Sequence, residues 1–243
     1  MLIVNADDLG RSLAETDAAI ACYAKGRITS ASAMVFMADS ERASAAASAA
    51  GLDVGLHVNF SEKFSAERVP QQLGKAQDQI RHFLNANKYA SVVFNPLLTK
   101  QFEFVFAAQL AEFKRLYGVS PSHLDGHQHL HLATNMLVQR VLPKGAKVRR
   151  SFSFRRGEKS FVNRWYRSAV DRSLMRRHRV TGYFFSISDH LAPERLAYVI
   201  SLAREADVEL MVHPQRPDEY TFLMSDAYVE ALSQVTLAGY DAL

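Results

Sequence analysis

An α/β fold, a single-domain distorted or incomplete (β/α) barrel with a mostly parallel sheet, is what this sequence predicts, and three observations carry the prediction. Short apolar runs alternate with longer amphipathic stretches, the rhythm of strands joined by covering helices. No internal repeat, low-complexity tract or Pro/Gly-rich linker interrupts that rhythm, so residues 1–243 read as one domain. Acidic residues and histidines fall at or just after the ends of the predicted strands, where a parallel barrel gathers side chains onto one face.

The elements follow in order. The apolar run Leu2-Ile3-Val4 predicts a buried strand over Leu2–Asn5. A helix is expected over Ser12–Lys25, with Ser12 as its N-cap and Gly26 just past its end. Ser30–Met37 reads as a strand, Ser40–Ala50 as an alanine-rich helix closed by Gly51, and Asp53–His57 as a third strand. Residues 60–73 read as a loop, the kind of segment that often sets substrate specificity. Helices are predicted over 74–88 and 101–117, the second stopped by Gly118. Pro121–Gly126 reads as a short strand, Ala133–Val141 as a helix and Ala146–Arg149 as a strand. The remainder predicts a helix over Asn163–His178, a strand over Tyr183–Ile187 and a helix over Pro193–Ala206 with proline in its first turn. A strand over Val208–Val212 and a helix over 225–237 complete the pattern.

Composition excludes several classes. A hydrophobic fraction of 48% suffices for a sizeable core. No apolar run approaches the ~20 residues of a membrane-spanning helix. The N-terminus has no charged leader with a small-residue cleavage site, so a cytoplasmic location is expected. The single cysteine, Cys22, excludes an intrachain disulfide and reads as a packing thiol within a helix. The net charge of +4 is unevenly spread: residues 144–179 carry 13 of the 29 Lys and Arg against two acids, leaving the rest of the chain at −7. A local anionic partner fits that distribution, whereas a whole-surface nucleic-acid footprint does not.

The chemistry concentrates in four segments. In Asn5-Ala6-Asp7-Asp8-Leu9-Gly10, two adjacent carboxylates follow a buried strand, and such a pair calls for a proton or a cation. Taken alone, the pair also suits a turn or a helix N-cap, with Gly10 and Ser12 following. His57 ends the run Val54-Gly55-Leu56, His213-Pro214 follows the strand ending at Val212, and His123, Asp125, His127, His129 and His131 form a cluster between them. Six of the nine histidines lie in these segments, which makes a metal-dependent enzyme the leading reading. In an extended chain the five cluster residues share one face, although Gly126 is expected to break that regularity. Asp125 is suited to orient a ligating histidine. One carboxylate with two histidines leaves coordination positions open, as a catalytic rather than a structural site requires. Absence of G-x-S-x-G, P-loop, G-x-G-x-x-G and C-x-x-C removes support for serine-hydrolase, nucleotide and dithiol chemistry.

Together these pieces resemble the YdjC-like carbohydrate deacetylases, which include chitooligosaccharide deacetylase and the hopanoid-biosynthesis HpnK proteins. The matching segments are Asn5–Gly10, Val54–Asn59, Ser122–His131 and His213-Pro214, in the family's order. The resemblance implies hydrolysis of an N-acetyl group on a sugar, with one divalent cation: magnesium or zinc first, manganese, nickel or cobalt as alternatives. It implies Asp8, His57 and His127 as metal ligands, Asp7 as general base and His213 as general acid. His123, Asp125, His129 and His131 would stand behind the ligands or touch substrate. Two departures are visible: Gln215 replaces the family's usual glycine after His-Pro, and Leu9 its usual phenylalanine.

Within the basic segment, Val162, Trp165, Tyr166, Ala169, Val170 and Leu174 recur at helical spacing, with arginines off the stripe. Such a helix packs its stripe on the core, lies on an anionic membrane surface through 152–179, or grips the phosphate of a lipid- or nucleotide-linked sugar. Homodimerisation is left open, and no nucleic-acid partner is expected. The rivals are another metal hydrolase, such as a phosphoesterase, and a non-catalytic sugar- or metal-binding barrel.

Overall fold

Six strands form one all-parallel sheet in the order β4-β3-β2-β1-β6-β5. The computed structural model describes residues 1–155 and 157–243. Arg156, one of the basic residues counted above, lies outside them. The strands are β1 (Leu2–Leu9), β2 (Ser30–Ala33), β3 (Asp53–Val58), β4 (Leu124–Gly126), β5 (Tyr183–Ser186) and β6 (Val208–Val212). The helices are α1 (Leu13–Ala24), α2 (Ser40–Ala50), α3 (Gln71–Asn85), α4 (Thr99–Tyr117), α5 (Thr134–Gln139), α6 (Phe161–Met175), α7 (Pro193–Ala203), α8 (Pro217–Leu223) and α9 (Asp226–Leu232). The sheet curls into a half-barrel. Its central strands are buried from end to end, as helix-covered parallel strands must be. A core cluster from Leu2 to Leu232 joins strands and helices.

Local chemistry explains the boundaries. Ser12 caps α1, its side chain accepting from the Ala14 amide and bonding Glu15 three residues on. Cys22 is buried in α1, and burial, opposed weakly by Arg27, pushes its thiol up to about 11, so it packs rather than reacts. The expected strand Ser30–Met37 stops at Ala33. Beyond it Phe36 adopts φ 60°, and the Ser40 hydroxyl donates to the Met34 carbonyl while accepting from the Met37 amide. The expected strand Ala146–Arg149 is not a full strand. It makes single bridges from Val148 to Leu124 and from Lys147 to Arg179. Farther on, the Ser153 amide donates to the Phe184 carbonyl at 2.8 Å, so this segment crosses the gap between edge strands β4 and β5. The loop predicted at 60–73 ends earlier, since α3 begins at Gln71. Helix α8 was not foreseen, because seven residues beginning at Pro217 show too little periodicity.

Inside the curl, alternation makes one face polar. Asn5 and Asp7 of β1 lie beside Ser30 and Ser32 of β2, then Gly55 and His57 of β3 and Asp125 of β4, with Glu209 on β6. The register pairs His57 directly with Asp125.

Candidate active site

The two adjacent aspartates separate because β1 is irregular where they sit. Its register on β2 shifts between Ala6 and Leu9, and Asp8 adopts φ 66°. Asp7 consequently turns toward Arg149, and Asp8 toward His57 and His127.

Asp8, His57 and His127 come together as one group, with a carboxylate oxygen and two imidazole nitrogens all within 4.8 Å of one another. Asp8 Oδ1 lies 3.3 Å from His57 Nε2 and 2.9 Å from His127 Nδ1. The other nitrogen of each ring faces a carboxylate. His57 Nδ1 bonds Asp125 Oδ1 at 2.8 Å, and His127 Nε2 lies 3.4 Å from Glu62 Oε2. Glu62 is itself held by Arg11, whose Nε donates to Oε1 at 3.0 Å. Carboxylates behind both rings would aim the remaining lone pairs inward, as histidines holding a divalent ion need. The donor set therefore fits such an ion.

Electrostatics agree. Burial opposes the Asp8 charge, but hydrogen bonds from His127 and His57 hold its carboxyl far below the usual range. Burial likewise disfavours a charged His57, yet the Asp125 and Asp7 charges push it well above its ordinary value. The cluster thus demands positive charge, which a cation meets by displacing the proton.

Arg149 is the first of the residues that sequence reasoning missed. It is fully buried and grips Asp7 with two bonds, Nη1 to Oδ2 at 2.7 Å and Nη2 to Oδ1 at 2.6 Å. The same guanidinium reaches Asp125 Oδ2 at 2.7 Å and Glu209 Oε1 at 2.7 Å. Asn5 Nδ2 adds a bond to Asp7 Oδ1 at 3.0 Å. Burial disfavours the Asp125 charge, but Arg149 and then His57 outweigh it and hold the carboxyl far below the usual range. Glu209 is the exception: burial prevails over Arg149 and Tyr240 and lifts its carboxyl to about 7. One guanidinium does not balance three carboxylates, and Glu209 is the one whose charge burial disfavours most visibly.

The histidine cluster does not converge. After β4 the chain enters a 3₁₀ turn, His127–Leu132, with Gln128 and His129 at φ 54° and 58°. Of the five, only His127 joins Asp8 and His57, and only Asp125 bonds one of that group. His123 lies on the far side, bonded through Nε2 to Ser32 and through Nδ1 to Ser122, and stacked on Tyr240 with ring centroids 3.7 Å apart. His131 Nε2 bonds the Arg149 carbonyl at 3.0 Å, bracing the loop that carries the guanidinium. His129 packs edge-on against Phe152 beside an outer cavity.

His213 follows β6. Its amide donates to Glu219 of α8, whose Oε1 is 3.8 Å from the ring Nδ1. Burial opposes the His213 charge, but Glu219, Asp7 and Asp8 outweigh it and raise its pKa above the usual value. Glu62 lay in the loop read at 60–73, and Glu219 in a stretch to which no element was assigned. Neither carried a sequence signal: Glu62 meets His127 from a distant segment, and Glu219, six residues from His213, reaches it only through the turn into α8.

A family model described as YdjC-like protein matches residues 1–235. The chain belongs to the YdjC-like family. Among its relatives, this YdjC-like protein is 27% identical over 224 residues to a chitooligosaccharide deacetylase of Enterobacter sp. (strain 638), covering 88% of this chain and 81% of that one. It is 30% identical over 136 residues to a mouse carbohydrate deacetylase, covering 54% of this chain and 43% of the relative. The chain thus matches less than half of the mouse protein's length, and 51% of a Serratia marcescens chitooligosaccharide deacetylase at 28% identity. A solved structure from Enterococcus faecalis V583, titled as a candidate cellobiose-phosphate cleavage protein, superposes with a TM-score of 0.69 at 17% identity. The match covers 99% of this chain and 97% of that one, which shows the shared fold.

Proposed function

We propose that this YdjC-like protein hydrolyses the N-acetyl group of an amino sugar or glycan, releasing acetate and the free amine. The observation that carries the reading is the group Asp8, His57 and His127, with Asp7 gripped by Arg149 and His213 beside Glu219. The names of the Enterobacter and mouse relatives support the choice of an acetylated carbohydrate.

Asp8, His57 and His127 would hold a divalent cation. When bound there, such an ion supplies polarisation of the acetyl carbonyl and makes water more acidic. Asp7 accepts the proton of the attacking water at its carboxylate, which Arg149 and Asn5 hold in one orientation. Asp125 keeps His57 in the tautomer that frees Nε2. His213, whose protonated form Glu219 and the two aspartates favour, gives its proton to the departing amine from the ring nitrogen not facing Glu219. An amine leaves poorly without that proton, so acid and base are both required.

The test is acetate release from N-acetylated sugars that are free, nucleotide-linked or lipid-linked. Chelated enzyme is compared with enzyme resupplied with Mg, Zn, Mn, Ni or Co. Metal-restored acetate release supports the reading, and phosphate release without acetate refutes it in favour of a phosphoesterase. Asp7→Asn is expected to lower turnover at least ~10²-fold while metal content is retained. Near-normal turnover removes Asp7 from the base role.

A further inference from the structure

Helix α6 turns its apolar residues the wrong way for a core-packing helix. Val170 and Leu174 are buried, but Phe161, Val162 and Trp165 are 79%, 71% and 60% exposed. Positions 161 and 165 fall opposite the inward-facing 170 and 174 at 3.6 residues per turn, and 162 and 166 lie between the two faces. The stripe expected from sequence therefore splits in two, and its N-terminal half faces solvent. A second exposed apolar segment lies beside it: Tyr89 is 62% and Leu97 is 84% exposed, with Val92, Val93 and Phe94 between them. A cavity of about 320 Å³ lined by both Val92 and Tyr166 joins the two segments, and Gln128, next to the ion-binding His127, lines the same cavity. Scattered exposed apolar residues need no account, whereas two adjoining groups with five aromatic rings mark a binding surface.

Charge identifies the occupant. The outward face of α6 continues from the apolar residues into Arg172 and Arg176, with Arg164 at its flank and Arg177 and Arg179 just beyond. The acid on this helix, Asp171, is buried and already paired with Arg150 at 2.7 Å, so it does not offset them. Aromatic and aliphatic side chains beside a row of arginines match a bilayer, whose apolar interior takes the former and whose anionic headgroups take the latter. We propose that α6 and residues 89–97 form a docking surface for an anionic lipid bilayer, placing the mouth of the active site against the membrane. Docking does not depend on the reaction, and its test reads binding alone.

The experiment is cosedimentation of the full chain with vesicles of phosphatidylcholine alone or mixed with phosphatidylglycerol, at low and high salt. Binding to the mixed vesicles is expected to exceed that to neutral ones by tenfold or more and to weaken with salt. Phe161→Ser combined with Trp165→Ser removes only exposed side chains. It is expected to lower binding about tenfold or more without changing the thermal midpoint, and Arg172→Gln with Arg176→Gln to erase the preference for anionic lipid. Equal binding to both vesicle types, or undiminished binding by the Phe161/Trp165 variant, overturns the proposal. So does a dimer in light scattering that the same variant converts to monomer, which assigns the face to a second copy of the chain.

Discussion

Arg149 shows how far a single side chain can lie from its visible signal. In sequence it is one of thirteen basic residues between 144 and 179; in the fold it is fully buried and bonded to carboxylates from three strands. No local pattern distinguishes it from Arg150 next to it, because its partners are distant in the chain. Asp7, Asp8, His57 and His213 were legible, since each closes an apolar run that reads as a strand. Glu219 was not, and it has a testable part. Because the His213 pKa is raised, a protonated His213 persists above pH 6.5, and activity requiring it falls as pH climbs through the raised value. Glu219→Gln removes the leading source of that rise. The alkaline limb of the turnover profile is expected to move to lower pH, measured as acetate release against pH. An unmoved limb would show that Glu219 does not set the acid's charge.

At the scale of elements, the sheet register decides which side chains meet. Pairing His57 with Asp125 makes the aspartate the orienter of a histidine on the next strand rather than of one within its own cluster. Extended geometry would have aligned residues 123 to 131 on one face, but the left-handed residues Gln128 and His129 scatter them. Gly55 belongs to this same packing. A Cβ there would sit 2.4 Å from Cε1 of His123, whose ring is locked between Tyr240, Ser32 and Ser122. Gly55→Ala is expected to cost ~1–3 kcal/mol in urea unfolding, because no flexible neighbour can yield. A stability loss within measurement error would mean that the ring can shift.

At the scale of the molecule, Arg149 ties β4 to β1 and β6 across the inside of an incomplete barrel, where no ladder joins β4 to either strand. That polar interior links stability to pH. Glu209 has an ordinary value of 4.5 and a folded value of about 7, so the folded state binds more protons between those limits. Stability from this group is complete below pH 4.5 and is lost as pH rises through 7. Relative to Glu209→Gln, the unfolding free energy is expected to decline by on the order of 3 kcal/mol between pH 4.5 and 7.5. Denaturant titrations at several pH values measure it, and parallel curves for the two proteins would exclude Glu209 as the source. Among the described residues no helix is long and apolar enough to cross a membrane.

Strand-and-helix alternation was readable from sequence because each strand's burial and each helix's amphipathic period are local properties, recorded in neighbouring residues. The parallel half-barrel and the gathering of Asp7, Asp8, His57, His127 and His213 near its strand ends followed from that alternation, whereas singling out Asp8, His57 and His127 rested on the family resemblance. Strand length at β2, the reduction of 146–149 to isolated bridges, the grip of Arg149 on Asp7 and the outward turn of Phe161 and Trp165 did not. Each depends on what a residue meets across the fold, and a one-dimensional pattern carries spacing but not partners.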